Sequence, residues 1–167
     1  EIERSGDAGC AWTGWPSVDR GLYRALAPGE LVIVAARTGV GKTWAALQIV
    51  MANLERDPEM RALVHSLEMP AWQMGERSSA MATGEHTGHL ALRIRKGDAV
   101  EQQVIDAWPE HDRVAWCDDM IGPSELDAAW QQAGEPGLVV VDYLGLLAWE
   151  GHDSARAYER ASMRALA

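Results

Sequence analysis
The chain has 167 residues, 47 % of them hydrophobic, and its 25 acidic against 15 basic side chains give a formal net charge of −10. That length suits one domain with a substantial core, and the acidic balance argues against a surface that coats nucleic acid. No segment approaches the roughly 20 apolar residues of a membrane span, and the acidic N-terminus lacks a signal-peptide pattern. Cys10 and Cys117 are too few for a disulfide framework and lack metal-ligand spacing, so a reducing cytoplasm and no membrane are expected.

Residues 1–14 are polar and small without a sustained period, so 1–12 read as a linker or arm ahead of a domain spanning 13–167. Trp15 to Leu22 suggests a short helix with Pro16 and Ser17 at its start, and Pro28-Gly29 a turn. The β-branched run Leu31 to Ala36 then reads as a strand entering the loop Arg37-Thr38-Gly39-Val40-Gly41. Behind it, Lys42-Thr43 opens a helix whose Leu47, Val50, Met51 and Leu54 share a face, ended by Asp57-Pro58.

Ala62 to Leu67 is a second strand, followed by Glu68-Met69-Pro70 and a helix to about Thr83, with Pro70 at its first position and Gly84 as its stop. Residues 85–97 read as one short helix, and Asp98 as the cap of a helix bearing Val100, Val104, Ile105 and Trp108, closed by Pro109. Arg113 to Cys117 is a third strand, and Pro123 opens a helix with Leu126, Ala129, Trp130 and Ala133 as its buried stripe. Gly137 to Asp142 is a fourth strand, apolar along its length as a strand covered on both faces should be. A last helix is expected from about Asp153 to Leu166. Strands alternating with helices point to an α/β fold with a mostly parallel sheet.

Strand, Gly-containing loop and Lys-Thr helix start together make a P-loop, the phosphate-binding element of nucleoside triphosphatases. Glycines let the backbone curl with its N–H groups inward, and the helix N-terminus adds partial positive charge. Arg37, Thr38, Gly39, Val40, Gly41, Lys42 and Thr43 are the candidate nucleotide-binding residues, with Lys42 reaching the β- and γ-phosphates and Thr43 suited to Mg²⁺. Ala36 stands where G-x-x-x-x-G-K-[ST] has its first Gly, at a position that ends the strand. The competing reading is a Gly-rich turn that happens to precede Lys-Thr.

A hydrophobic strand ending in Asp142 fits the Walker B pattern, in which a carboxylate serves Mg²⁺, although many buried strands end in Asp as a turn starter. Asp142 is followed by Tyr143, so the carboxylate that activates water has to come from elsewhere. Glu68, at the carboxyl end of its strand, is the candidate, against an ordinary first-turn carboxylate favoured by the helix dipole. Arg93, Arg95 and Lys96 are the one basic cluster, read as a solvated helix end over a DNA contact. His65 reads as a satisfied core residue, His86, His89, His111 and His152 show no metal grouping, and Trp44 and Trp72 read as packing residues over base-stacking ones.

Thr13-Gly14-Trp15-Pro16-Ser17-Val18-Asp19, Pro28 to Arg37, Ser66-Leu67-Glu68-Met69 and Val141-Asp142-Tyr143-Leu144 resemble the RecA-like ATPase domain of DnaB-family replicative helicases, from about residue 13 to the end. That family tolerates Ala at the position of Ala36. The resemblance implies a RecA-like three-layer sandwich, ATP and Mg²⁺ as cofactors, Lys42, Glu68 and Asp142 as catalytic residues and Thr43 with Asp142 as metal ligands. It further implies a homo-hexameric ring on single-stranded DNA, each site completed by a neighbour's arginine finger, a device worth roughly 10³–10⁵ in rate. Family members continue past the last expected helix, so the chain reads as a core incomplete at its C-terminal side. A RecA- or KaiC-like regulatory or recombination-accessory ATPase, or a nucleotide-binding module without turnover of its own, are the alternatives.

Overall fold
The structure, a computed structural model, describes residues 9–22, 26–119 and 123–142. The expected helix at 153–166, together with Tyr143 and Leu144, lies outside the described residues.

The centre is β1, Ala62–Ser66, with every residue buried. Both neighbours pair with it in parallel, β2 (Val114–Cys117) on one side and β3 (Leu138–Asp142) on the other, giving the order β2-β1-β3. Ala62 faces Val114 and Leu138 in register, and Ser66 faces Asp142. Parallel pairing sets the carboxyl ends of all three strands at one edge, where α/β folds bind ligands. The family of elements is the expected one, an α/β unit on a parallel sheet.

Among the described residues, seven helical segments surround this frame. Pro16–Leu22 forms α1 and Lys42–Arg56 forms α2. Between β1 and β2 lie α3 (Ala71–Thr83), α4 (Thr87–Arg95), α5 (Glu101–Ala107) and a 3-10 turn at Pro109–Arg113. Pro123–Gln132 is α6, which leads into β3. Leu47, Val50 and Leu54 on α2 pack with Met60, Ala62, Val64, Met74, Trp108 and Val114 as the main core, each large side chain contributing about 1.5–3 kcal/mol by leaving water. Ala80, Leu90 and Val100 make a smaller cluster under α3 and α4.

The C-terminal end of α2 is closed by a side chain from far along the sequence. Arg113 donates to the carbonyls of Leu54, Asp57 and Met60, at 2.6, 2.8 and 3.0 Å. Helix ends leave carbonyls without partners, and a guanidinium answers several at once. Ahead of α1, Ala11 bridges Leu26 and Asn53 brackets Trp12, accepting from its N–H and donating to its carbonyl, both at 2.7 Å. At Gly14 an added Cβ would lie 2.6 Å from the Ala52 side chain, so only glycine lets this segment approach α2.

Several expectations need correction. Residues 31–36 form no strand, and Leu31, Val32, Ile33 and Val34 are all about half exposed, at 47–53 %. A β-branched run is competent for a ladder but needs an edge to pair with, and among the described residues neither β2 nor β3 receives it. By the same token β3 is not covered on both faces, since Val139 is 40 % exposed. Asp98 does not cap α5; Val100 occupies that position, and the Asp98 carboxylate sits 3.6 Å from Arg93. Pro70 is the N-cap of α3, one place ahead of the first helical residue. Trp44 and Trp72 stand at the flank of the buried stripes and are 39 % and 57 % exposed, so the large packing indole is Trp108 instead.

Candidate functional site
Residues 37–43 leave the exposed segment and turn into α2. Val40 N–H donates to the Arg37 carbonyl at 3.3 Å, and Gly39 and Gly41 hold φ of +80° and +104°. That left-handed backbone costs a side-chain-bearing residue about 1–2 kcal/mol, whereas an added Cβ on Gly39 would meet nothing within 4 Å. Glycine is therefore required here by conformation, not by space. Ala36 is not among the described residues with positive φ, Glu135 being the one non-glycine there, so a methyl group is tolerated at the first motif position.

The first helical hydrogen bond of α2 runs from Ala45 N–H to the Gly41 carbonyl at 2.9 Å. The amides ahead of it have no helical partner and form the positive end of the helix dipole. Lys42 Nζ reaches back across the loop to the Ala36 carbonyl at 3.2 Å. Its ammonium thus lies over the turn that the glycines shape.

Thr43 points into the domain and is 8 % exposed. Its hydroxyl donates to Asp142 Oδ2 at 2.6 Å, across 99 residues of sequence. Asp142 is itself 5 % exposed, at the last position of β3. A buried carboxylate beside a hydroxyl at a helix N-terminus is hard-oxygen chemistry suited to Mg²⁺, which takes one or two protein oxygens and completes its shell with phosphate and water. No group of three His, Cys, Asp or Glu side chains suited to a metal occurs among the described residues.

Glu68 lies at the same edge, in the segment between β1 and α3, and is exposed. The structure does not join its carboxylate to Lys42, Thr43 or Asp142 by a hydrogen bond. What it fixes is the backbone on either side. Leu67 N–H donates to the Asp142 carbonyl at 2.8 Å, and Ser66 Oγ bonds both the carbonyl and the N–H of Met69, at 2.6 and 3.4 Å. Ala71 N–H donates to Asp118 Oδ2 at 2.8 Å. His65, fully buried, donates from Nε2 to the Asp119 carbonyl at 2.8 Å, while its Nδ1 has no partner among the described residues. It is a core residue as expected, but a half-satisfied one. Ser66 belongs to the Ser66-Leu67-Glu68-Met69 run, whereas Asp118 carries no motif, and its one sequence signal is a place just after the carboxyl end of β2.

The basic cluster on α4 is spoken for in part. Arg93 donates to Glu85 and to Gln103 Oε1, the latter at 2.9 Å, and Glu85 also accepts from Gln103 and from His89. The Gln103 hydrogen bond above all, then those of His89 and the charges of Arg93 and His89, hold the Glu85 carboxyl below its ordinary value, against the opposing effect of burial. Arg93 is thereby an internal strut between α4 and α5. Cys10 and Cys117 are both free, and among the described residues no helix is long and apolar enough to cross a membrane.

Comparison with known proteins covers nearly all of the described chain. The model of the DnaB-like helicase C-terminal domain matches residues 11–165. The chain belongs to that family. It is 31 % identical to the replicative DNA helicase DnaB of Pasteurella multocida and 30 % identical to that of Haemophilus influenzae, in each case over 93 % of this chain and 35 % of the relative. A probable plasmid replicative DNA helicase of Chlamydia trachomatis is 38 % identical over 95 residues, 56 % of this chain and 19 % of the relative. The DnaB-like chain therefore spans about a third of the length of the two bacterial helicases it matches. Its membership accounts for a RecA-like P-loop fold.

Proposed function
We propose that this chain is the ATP-binding and ATP-hydrolysing core of a DnaB-like replicative DNA helicase, with residues 13–167 as the ATPase unit and 1–12 as an arm leading into it. The observation that carries the reading is the 2.6 Å hydrogen bond from Thr43 to Asp142, which joins the helix start and the strand end that P-loop enzymes use together. The match to replicative DNA helicases supports DNA as a partner, and ATP as substrate with a hexameric assembly on single-stranded DNA in the cytoplasm completes the proposal.

In this reading the backbone of residues 37–43 cradles the phosphates, and Lys42 exchanges the Ala36 carbonyl for the β- and γ-phosphate oxygens. Thr43 and Asp142 would hold Mg²⁺, which when bound would supply charge neutralisation for the phosphates. Glu68 orients the attacking water and takes its proton as the bond to the γ-phosphorus forms and the bond to the β,γ-bridging oxygen breaks. Binding and proton transfer thus come from different strand ends.

Titration of the chain with a fluorescent ATP analogue in Mg²⁺, beside Lys42→Ala and Asp142→Asn, tests the reading. Lys42→Ala should lose affinity by at least about a hundredfold, on the scale of one buried charge-assisted contact set. Asp142→Asn should lose the Mg²⁺ dependence of binding. Equal affinity in the Lys42 variant would overturn the site, and turnover unaffected by single-stranded DNA would overturn the helicase assignment while leaving nucleotide binding in place.

A further inference from the structure
The segment that carries Glu68 is held from three sides, and one of the holders lies outside every motif. α3 begins at Ala71 behind Pro70, and Pro70 brings no side-chain acceptor to the helix start. The acceptor comes instead from Asp118, directly after β2 and 47 residues away, whose Oδ2 takes the Ala71 N–H at 2.8 Å. At the other end of the segment, Leu67 N–H is held by the Asp142 carbonyl of β3 at 2.8 Å, and in the middle Ser66 Oγ bonds Met69 at both carbonyl and N–H. Asp119, the next residue after Asp118, is tied in turn to β1 through His65 Nε2 at 2.8 Å. Residues 67–71 therefore span a bridge whose two ends rest on the two outer strands, with Glu68 between them.

We propose that Asp118 is a positioning residue for ATP hydrolysis: by capping α3 it fixes the backbone from which the Glu68 carboxylate reaches the attacking water. The inference rests on the reading of Glu68 as the base. Asp118 hydrogen-bonds neither Lys42, Thr43 nor Asp142, so its loss disturbs the placement of Glu68 and leaves the phosphate and metal contacts alone. A misplacement of about 1 Å in a reacting group can lower a rate on the order of a hundredfold.

Single-turnover hydrolysis with the whole chain in excess over ATP resolves even the rates near 10⁻⁴ s⁻¹ of P-loop sites that lack an arginine finger. Asp118→Ala should hydrolyse about ten- to a hundredfold more slowly while its ATP dissociation constant stays within about twofold, a difference on the order of 0.4 kcal/mol. Asp118→Asn, whose amide oxygen still accepts the Ala71 N–H, should recover most of the rate. Wild-type turnover in Asp118→Ala overturns the proposal, as does a parallel loss of ATP affinity, which marks a merely structural role. An Asp118→Asn variant as slow as the alanine variant also overturns it. Glu68→Gln run alongside separates the two ideas. If it is inactive while Asp118→Ala is not, only the positioning role falls. If Glu68→Gln, or the wild type beside Lys42→Ala, shows no site-dependent difference, the reading of the site falls and the positioning role with it.

Discussion

The two ends of α2 are built on opposite terms. At its C-terminal end Leu54 is fully buried, and the last carbonyls are gathered by one guanidinium from Arg113. At its N-terminal end the approach segment 31–34 is half exposed, the loop holds two left-handed glycine conformations, and Lys42 rests on a loop carbonyl at 3.2 Å. One end has its polar groups matched from within the chain; the other presents unmatched donors to whatever anion arrives. The stability of the domain and its chemistry thus sit about one helix length apart on the same element, and mutations at the two ends should separate them.

Leu54→Ala should have the largest effect on stability, about 2–5 kcal/mol, read as a lowered thermal midpoint, with nucleotide affinity unchanged well below that midpoint. Arg113→Met keeps the aliphatic packing and strands three carbonyls, and should cost about 2–3 kcal/mol in urea unfolding, again without touching nucleotide affinity. If either change weakened ATP binding in the folded protein, the two ends would be coupled and the contrast broken.

Gly39→Ala inverts the pattern. The left-handed conformation at φ +80° penalises a side chain by about 1–2 kcal/mol, and an exposed loop relaxes away from it, so the thermal midpoint should barely move. Nucleotide affinity should fall by about tenfold, the binding equivalent of that strain. The smallest effect is expected at Glu85, whose partners His89, Arg93 and Gln103 lie on α4 and α5. Its carboxyl is held below the ordinary 4.5, so its ionised form stabilises the fold above that value and the contribution is lost as pH falls through the lowered pKa. The difference in thermal midpoint between wild type and Glu85→Gln should be present at neutral pH and vanish in acid.

The legible parts of this chain were those where residue type and local period say the same thing. β1, β2 and β3 come from short apolar runs, α2 from its Leu47, Val50 and Leu54 spacing, and the end of α3 from Gly84, which holds φ +70°. The loop at 37–43 was legible because Gly, Lys and Thr at fixed offsets have a chemical reason to be there. What did not read correctly depended on which partner each group takes up in the fold. Leu31 to Val34 has the composition of a strand, but pairing is a property of two segments, and the run alone does not reveal whether an edge receives it. Asp98 looked like a helix cap and instead faces Arg93; Asp118 looked like nothing and instead caps α3. Short polar side chains choose among several backbone amides of similar energy, and the choice is made by tertiary geometry that a local window does not contain.

The parallel register of the sheet has a consequence for how the protein comes to be. β1 is the middle strand, yet it is followed by β2 and only much later by β3, so its second flank stays open until residues 138–142 have been synthesised and docked. The Thr43–Asp142 contact closes a loop of 99 residues, and contacts of that separation are late and slow to form. A nascent chain therefore carries its phosphate loop long before it carries a carboxylate to go with it. Under the proposed function, competence to bind a metal–nucleotide pair arrives only once β3 has docked on β1, and its appearance in time reports that docking.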